Sequence, residues 1–212
     1  MRTILCSAGT SIAGSGKALT EIQSRATGWN DATDGLREQI AERLKALDLA
    51  TESGRVRASA ELNALHRLRL KQDDEVVLFC TDTADGRCCA GAVQRVITEQ
   101  FGVRTVIIER IEGLQVRDGA LLRDTGLLNL SERLIRYLED PNRRLGGGCV
   151  LNTNGGFKGL VPFFAILGMI FRTPVVYVFE LAESLIHLPP LPIGWTAHVS
   201  SARRSGGCSR RL

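Results

Sequence analysis

Five short apolar runs, at residues 3–7, 75–80, 104–109, 148–152 and 175–179, are separated by longer stretches whose apolar residues recur with a helical period. This alternation restricts the fold more than any other feature. Each crossover helix returns the chain to the same end of the sheet, so such strands pair in parallel, and runs with few polar residues belong to strands covered on both faces. Leu36, Ile40, Leu44 and Leu47 form one helical stripe, and Ala90, Val93, Ile97 and Phe101 form another ahead of Gly102. Leu127, Leu130, Leu134 and Leu138 mark a third helix over about 125–139, stopped by Pro141. A shorter helix is expected over 58–69. The stretch 157–171 is apolar nearly all round, so its helix is expected to be buried, in part against another subunit.

These elements predict an α/β fold: a Rossmann-like, doubly wound, mostly parallel sheet of five or six strands flanked by helices. In the order 3-2-1-4-5, strands one and four are neighbours. The 212 residues suffice for one domain, placed at 1–194, with residues 195–212 expected to be a disordered tail. That tail holds Arg203, Arg204, Arg210 and Arg211 and no acid, which equals the whole net charge of +4. The domain itself is formally neutral, a poor match for a protein that coats DNA or long RNA, and any anion site must be local. The six cysteines are expected to be reduced, since the N-terminus lacks a long apolar stretch and Cys88 beside Cys89 is poor pairing geometry. No spacing resembles a zinc site, and no metal or cofactor is expected. The longest apolar run, 160–171, is too short to cross a bilayer, so a cytoplasmic chain with no membrane partner is expected.

In a doubly wound sheet, ligands lie beyond the carboxyl ends of the strands, where the winding reverses. The loops there would be Ser7-Ala8-Gly9-Thr10-Ser11 after strand one and Asn152-Thr153-Asn154-Gly155-Gly156-Phe157-Lys158 after strand four. Two glycines, several polar side chains and a lysine in the first turn of a helix bring N–H groups and a cation to one place, which suits phosphate. A lysine there opposes the helix macrodipole by about 0.3–1 kcal/mol unless an anion joins it. The plainer alternative is a glycine turn with a solvated Lys158, and Thr10 and Ser11 as helix caps. The loop Thr81-Asp82-Thr83-Ala84-Asp85-Gly86 lies on the same rim and reads first as a turn and cap. Gly14-Ser15-Gly16-Lys17 is not a Walker loop, which needs Gly at Ser11 and Ser or Thr at Ala18. Strand one is not followed by GxGxxG, which argues against a dinucleotide enzyme. His66 and His187 lack a partner at triad or metal spacing, and the vicinal cysteines read as packing residues.

Taken in order, the strand into Gly9-Thr10-Ser11, then Ala58-Ser59-Ala60-Glu61-Leu62-Asn63, then residues 81–86, then Asn152 to Lys158 resemble the CRISPR-associated Rossmann-fold (CARF) proteins of type III systems, and within them the ring nuclease group. The resemblance runs from about residue 2 to Pro192; Asn154 stands where a threonine is expected. It implies a homodimer that binds a cyclic oligoadenylate, cyclic tetra-adenylate above all, in a two-fold pocket and cleaves it without metal to linear di-adenylate ending in a 2′,3′-cyclic phosphate. By the same resemblance Ser11 orients the attacking ribose and Lys158 stabilises the transition-state phosphate. Gly9, Thr10, Thr81, Asp82, Thr83, Asn152, Thr153, Gly155 and Gly156 bind and align the ring. The alternative is a sensor domain that holds the ring without cutting it.

Overall fold

The computed structural model describes residues 1–25, 27–179, 184–189 and 191; the segment expected to be a tail lies outside them. The apolar runs form β1 (Thr3–Ser7), β2 (Glu75–Thr81), β3 (Thr105–Ile111), β4 (Cys149–Asn152) and β5 (Val175–Val178), joined by β6 (Leu185–Leu188). They make one sheet in the order β3-β2-β1-β4-β5-β6, parallel except for β6, which runs antiparallel to β5. The expected order of the first five strands is the observed one, and the sixth adds an edge.

Alternate residues of the central strands go to opposite faces, as the strand period requires. Ile4, Cys6, Val76, Leu78 and Cys80 join one core cluster, while Leu5, Val77 and Phe79 join the other. Helices α1 (Lys17–Ser24), α2 (Asp34–Ala46), α3 (Glu52–Ala58), α4 (Ala60–Arg67) and α5 (Ala84–Phe101) carry the connections on the β1–β2–β3 side. Leu36, Ile40, Leu62, Leu65, Val93 and Ile97 are among the residues they contribute to the first cluster. The short α6 (Gly119–Leu121), a π-helical turn at Leu122–Gly126, α7 (Leu127–Glu139) and α8 (Pro141–Gly146) lead to β4, and α9 (Val161–Ile170) leads to β5. Leu130, Leu134, Leu138, Phe164 and Leu167 fill the second cluster. Pro141 ends α7 and also opens α8 at its first turn, where the missing N–H costs nothing.

Two helical expectations are revised. The apolar segment 157–171 gives a shorter α9 that is only partly buried: Phe164, Leu167 and Gly168 face the sheet, whereas Ile166 is 52% and Ile170 37% exposed. The helix expected over 58–69 is α4, shorter at both ends, and a separate α3 precedes it, divided from it by Ser59, whose extended backbone caps both; its hydroxyl accepts from the Leu62 N–H. At the other end of the sheet, Asp74 binds the strand entries together, accepting from the Arg2 backbone and guanidinium and from the Lys71 N–H.

Candidate functional site

The chain leaves β1 toward β2 on one side and leaves β4 toward β5 on the other, so the β1–β4 pair is the switch point and its loops share the rim. They touch through backbone. A Cβ added to Gly9 would lie 2.5 Å from the Gly156 nitrogen, and one added to Gly155 would lie 2.1 Å from the Ser7 carbonyl oxygen and 2.2 Å from Glu61 Oε1. Ser7 Oγ donates to the Gly155 carbonyl at 2.6 Å. Gly156 has φ +74°, the left-handed region that favours glycine. These glycines are therefore demanded by the approach of two loops. The N–H groups of Gly155 and Gly156 donate to no acceptor among the described residues, leaving donors of the kind that bind anions. Lys158 begins a single 3₁₀ turn (Lys158–Leu160) that runs into α9, and its side chain is exposed.

Ser11 opens a 3₁₀ turn, Ser11–Ala13, and is exposed; Thr10 caps that turn with its backbone and makes no side-chain cap bond. Beneath them lies Glu61, an acidic residue that is wholly buried. Its Oε1 accepts the Gly9 N–H at 2.6 Å and its Oε2 accepts the Ser11 hydroxyl at 2.9 Å, while Ser11 Oγ accepts the Ala60 N–H at 3.1 Å. Glu61 is in the first turn of α4, where the helix dipole favours a negative group. Arg43 fixes both sides of this junction, donating to the carbonyls of Ile12 at 2.9 Å and Ala58 at 2.6 Å. Burial, then the neighbouring Arg57 charge, lower its pKa. Cys6 stands close by: burial pushes its thiol up to about 12, the Asn152 hydrogen bond opposes this and the Glu61 charge adds to it.

The other expected site residues divide by environment. Asn152 and Thr153 are buried, and their side chains turn into the sheet: Asn152 Nδ2 donates to Cys6 Sγ, and Thr153 Oγ1 to the Val176 carbonyl. Asn154 clasps β5 from both sides, Nδ2 donating to the Val178 carbonyl at 3.0 Å and Oδ1 accepting the Val178 N–H at 2.9 Å. A threonine hydroxyl could not make that pair, which explains the asparagine. Thr81 and Thr83 hydroxyls lie 2.7 Å apart, Thr83 also caps α5 by accepting the Gly86 N–H, and Asp82 accepts the Gly113 N–H across the β2–β3 rim. Gly14 and Gly16 face α2, against Arg43 and Gln39, which gives the rejected Walker loop a packing role.

Cys88 and Cys89 sit in α5 as free thiols, Cys89 buried, and the five described cysteines are all unpaired. His66 rests on Phe101 and lies 3.3 Å from Glu52. Among the described residues no three His, Cys, Asp or Glu side chains cluster closely enough to hold a metal, and no helix is long and apolar enough to cross a membrane. A cleft of about 560 Å³ lined by Leu138, Arg144, Cys149, Phe171 and Arg172 opens at the opposite end of the sheet, away from these loops. The residue that sequence reading missed is Glu61. It lies in the segment 58–63, but an acid after a helix cap is ordinary, and only the fold carries it fifty positions to Ser11.

Fold and rim together define a Rossmann-like α/β protein whose β1 and β4 loops meet at the switch point. The CRISPR-associated protein family Cas_APE2256 matches residues 56–191, and the chain belongs to that family, which supports a role in type III CRISPR systems. No curated protein matches it.

Proposed function

We propose that the protein is a ring nuclease: a homodimer that binds cyclic tetra-adenylate across its two-fold axis and cuts it to linear di-adenylate with a 2′,3′-cyclic phosphate, ending type III signalling. The observation that carries this reading is the backbone contact of Gly9 with Gly156, which sets Ser11 and Lys158 on one rim. A four-fold ring of phosphates has its own two-fold axis, so two copies of the same rim can meet equivalent phosphates. Ile166 and Ile170 leave apolar surface on α9 that a second copy would cover.

The attacking group is the ribose 2′-hydroxyl of the ligand, so the protein's work is to hold that oxygen in line with phosphorus and to stabilise charge on the phosphorane. Ser11 and Thr10 orient the ribose, the Gly155 and Gly156 amides receive phosphate oxygens, and Lys158 supplies positive charge. Asn152, Thr153 and Asp82 align the loops from below, while Thr81 and Thr83 shape the adjoining wall.

Purified protein incubated with cyclic tetra-adenylate in EDTA is expected to yield the linear product by chromatography, and Lys158→Ala to slow it about a hundredfold. Tight binding without product would instead establish the sensor reading.

A further inference from the structure

We infer that Glu61 is a positioning residue of this site: by taking the Ser11 proton it keeps Ser11 Oγ as an acceptor for the attacking 2′-hydroxyl, and it receives the proton that attack releases. The inference rests on the cleavage reading above. A serine hydroxyl has one proton and two lone pairs. Here the proton points to Glu61 Oε2 and the Ala60 N–H occupies one lone pair, so one lone pair remains. Ser11 is exposed and Glu61 is not, so a ligand reaches the carboxylate only through the serine. Without Glu61 the hydroxyl would turn its proton toward the nearest phosphate oxygen and lose its grip on the ribose.

The surroundings hold this state. Gly9 gives its N–H to the other carboxylate oxygen, the first turn of α4 favours the charge, and the Gly155 backbone leaves no room for the carboxylate to swing toward β4. Burying a carboxylate is costly unless it is hydrogen-bonded, and both oxygens are. In the step itself the 2′-oxygen bonds to phosphorus as its proton passes to Ser11 Oγ and the serine proton passes to Glu61. The bond from phosphorus to the 5′-oxygen breaks, that oxygen takes a proton from water, and Glu61 returns its proton to water through Ser11. No proton is gained or lost overall.

Glu61→Gln tests this in the full-length protein. The amide oxygen can still accept from Gly9 while the NH₂ donates to Ser11, which turns the serine proton outward. At saturating cyclic tetra-adenylate the turnover rate is expected to fall by on the order of 10²–10⁴, the range of proton-transfer catalysis, with ring affinity falling by no more than about tenfold, the size of the one lost hydrogen bond. Ser11→Ala should lose a similar factor and the double variant little more, because the two act as one unit. Wild-type turnover in Glu61→Gln, or losses that multiply in the double variant, would overturn the inference and leave the cleavage reading intact. A wild-type protein that binds the ring and makes no product overturns both.

A second measurement avoids any change at the buried carboxylate. A 2′-deoxy ring should bind wild type about fivefold to tenfold more weakly than the ribo ring, the size of one lost hydrogen bond, and Ser11→Ala should not distinguish the two. Equal binding by wild type overturns the acceptor role of Ser11.

Discussion

Replacing Gly155 by alanine adds one methyl group where the β1 and β4 loops meet. The new carbon would sit 2.1 Å from the Ser7 carbonyl oxygen and 2.2 Å from Glu61 Oε1, about 1 Å inside the closest separations that Cβ atoms tolerate. Neither neighbour can step aside freely. Ser7 is the last residue of a central strand and Glu61 is wholly buried, so the β4 loop must lift away. Overpacking of this kind costs about 1–3 kcal/mol, and lifting the loop also strains the bond between Ser7 Oγ and the Gly155 carbonyl, worth about 1 kcal/mol. A total of about 2–4 kcal/mol lowers the melting temperature of a domain this size by roughly 5–15 °C. Denaturant unfolding with thermal melting measures it. Gly91→Ala is the internal control, since a Cβ there meets nothing within 4 Å on α5, and helix propensity alone should raise stability by about 0.5–1 kcal/mol. A Gly155→Ala protein within 0.5 kcal/mol of wild type would refute the reasoning, because the loops would then have slack.

Burial alone would raise the Asp74 carboxyl, but hydrogen bonds from Arg2 and Lys71 and the Arg2 charge hold it below the usual carboxylate range. Its folded pKa lies below the unfolded value of about 3.9, so the stability it lends is present above that pH and lost as pH falls through the folded value. Asp74→Asn should therefore be less stable at pH 7 yet lose less between pH 5 and pH 2 in denaturant titrations; parallel curves for the two proteins would contradict this. Thr83→Ala removes the α5 cap and the partner of Thr81, and should cost about 0.5–2 kcal/mol in the same assay.

The central strands could be read from sequence because burial on both faces writes a continuous apolar run, as in Val76 to Cys80. β6 could not: Leu185–Leu188 is a half-exposed edge with a histidine in it, and nothing in its composition separates it from the residues before it. The break at Ser59 was hidden because α3, with Glu52, Arg55 and Arg57, carries no apolar stripe to set its period apart. At the rim, composition singled out these two loops for an incomplete reason. Gly9, Gly155 and Gly156 looked like phosphate-cradling glycines, and the structure shows that they first allow two chain segments to lie in contact. The resemblance implies that Asn152 and Thr153 meet the ligand, and in the structure both side chains turn inward. Polarity in a sequence does not say which way a side chain faces.

The meeting of Gly9 and Gly156 also has a bearing on how the protein is made. β1 pairs with β2 at Glu75 and with β4 only at Cys149, so the first strand has no second neighbour until Cys149 has been made. Contacts between residues so far apart in the chain close slowly, since the intervening segment must first be ordered. Residue 156 must have left the ribosome before the rim can form, while β1, β2 and β3 are complete by residue 111. The rim thus forms only after residue 156 has joined the fold, and partly made chains, which already hold Ser11 and Glu61, lack it.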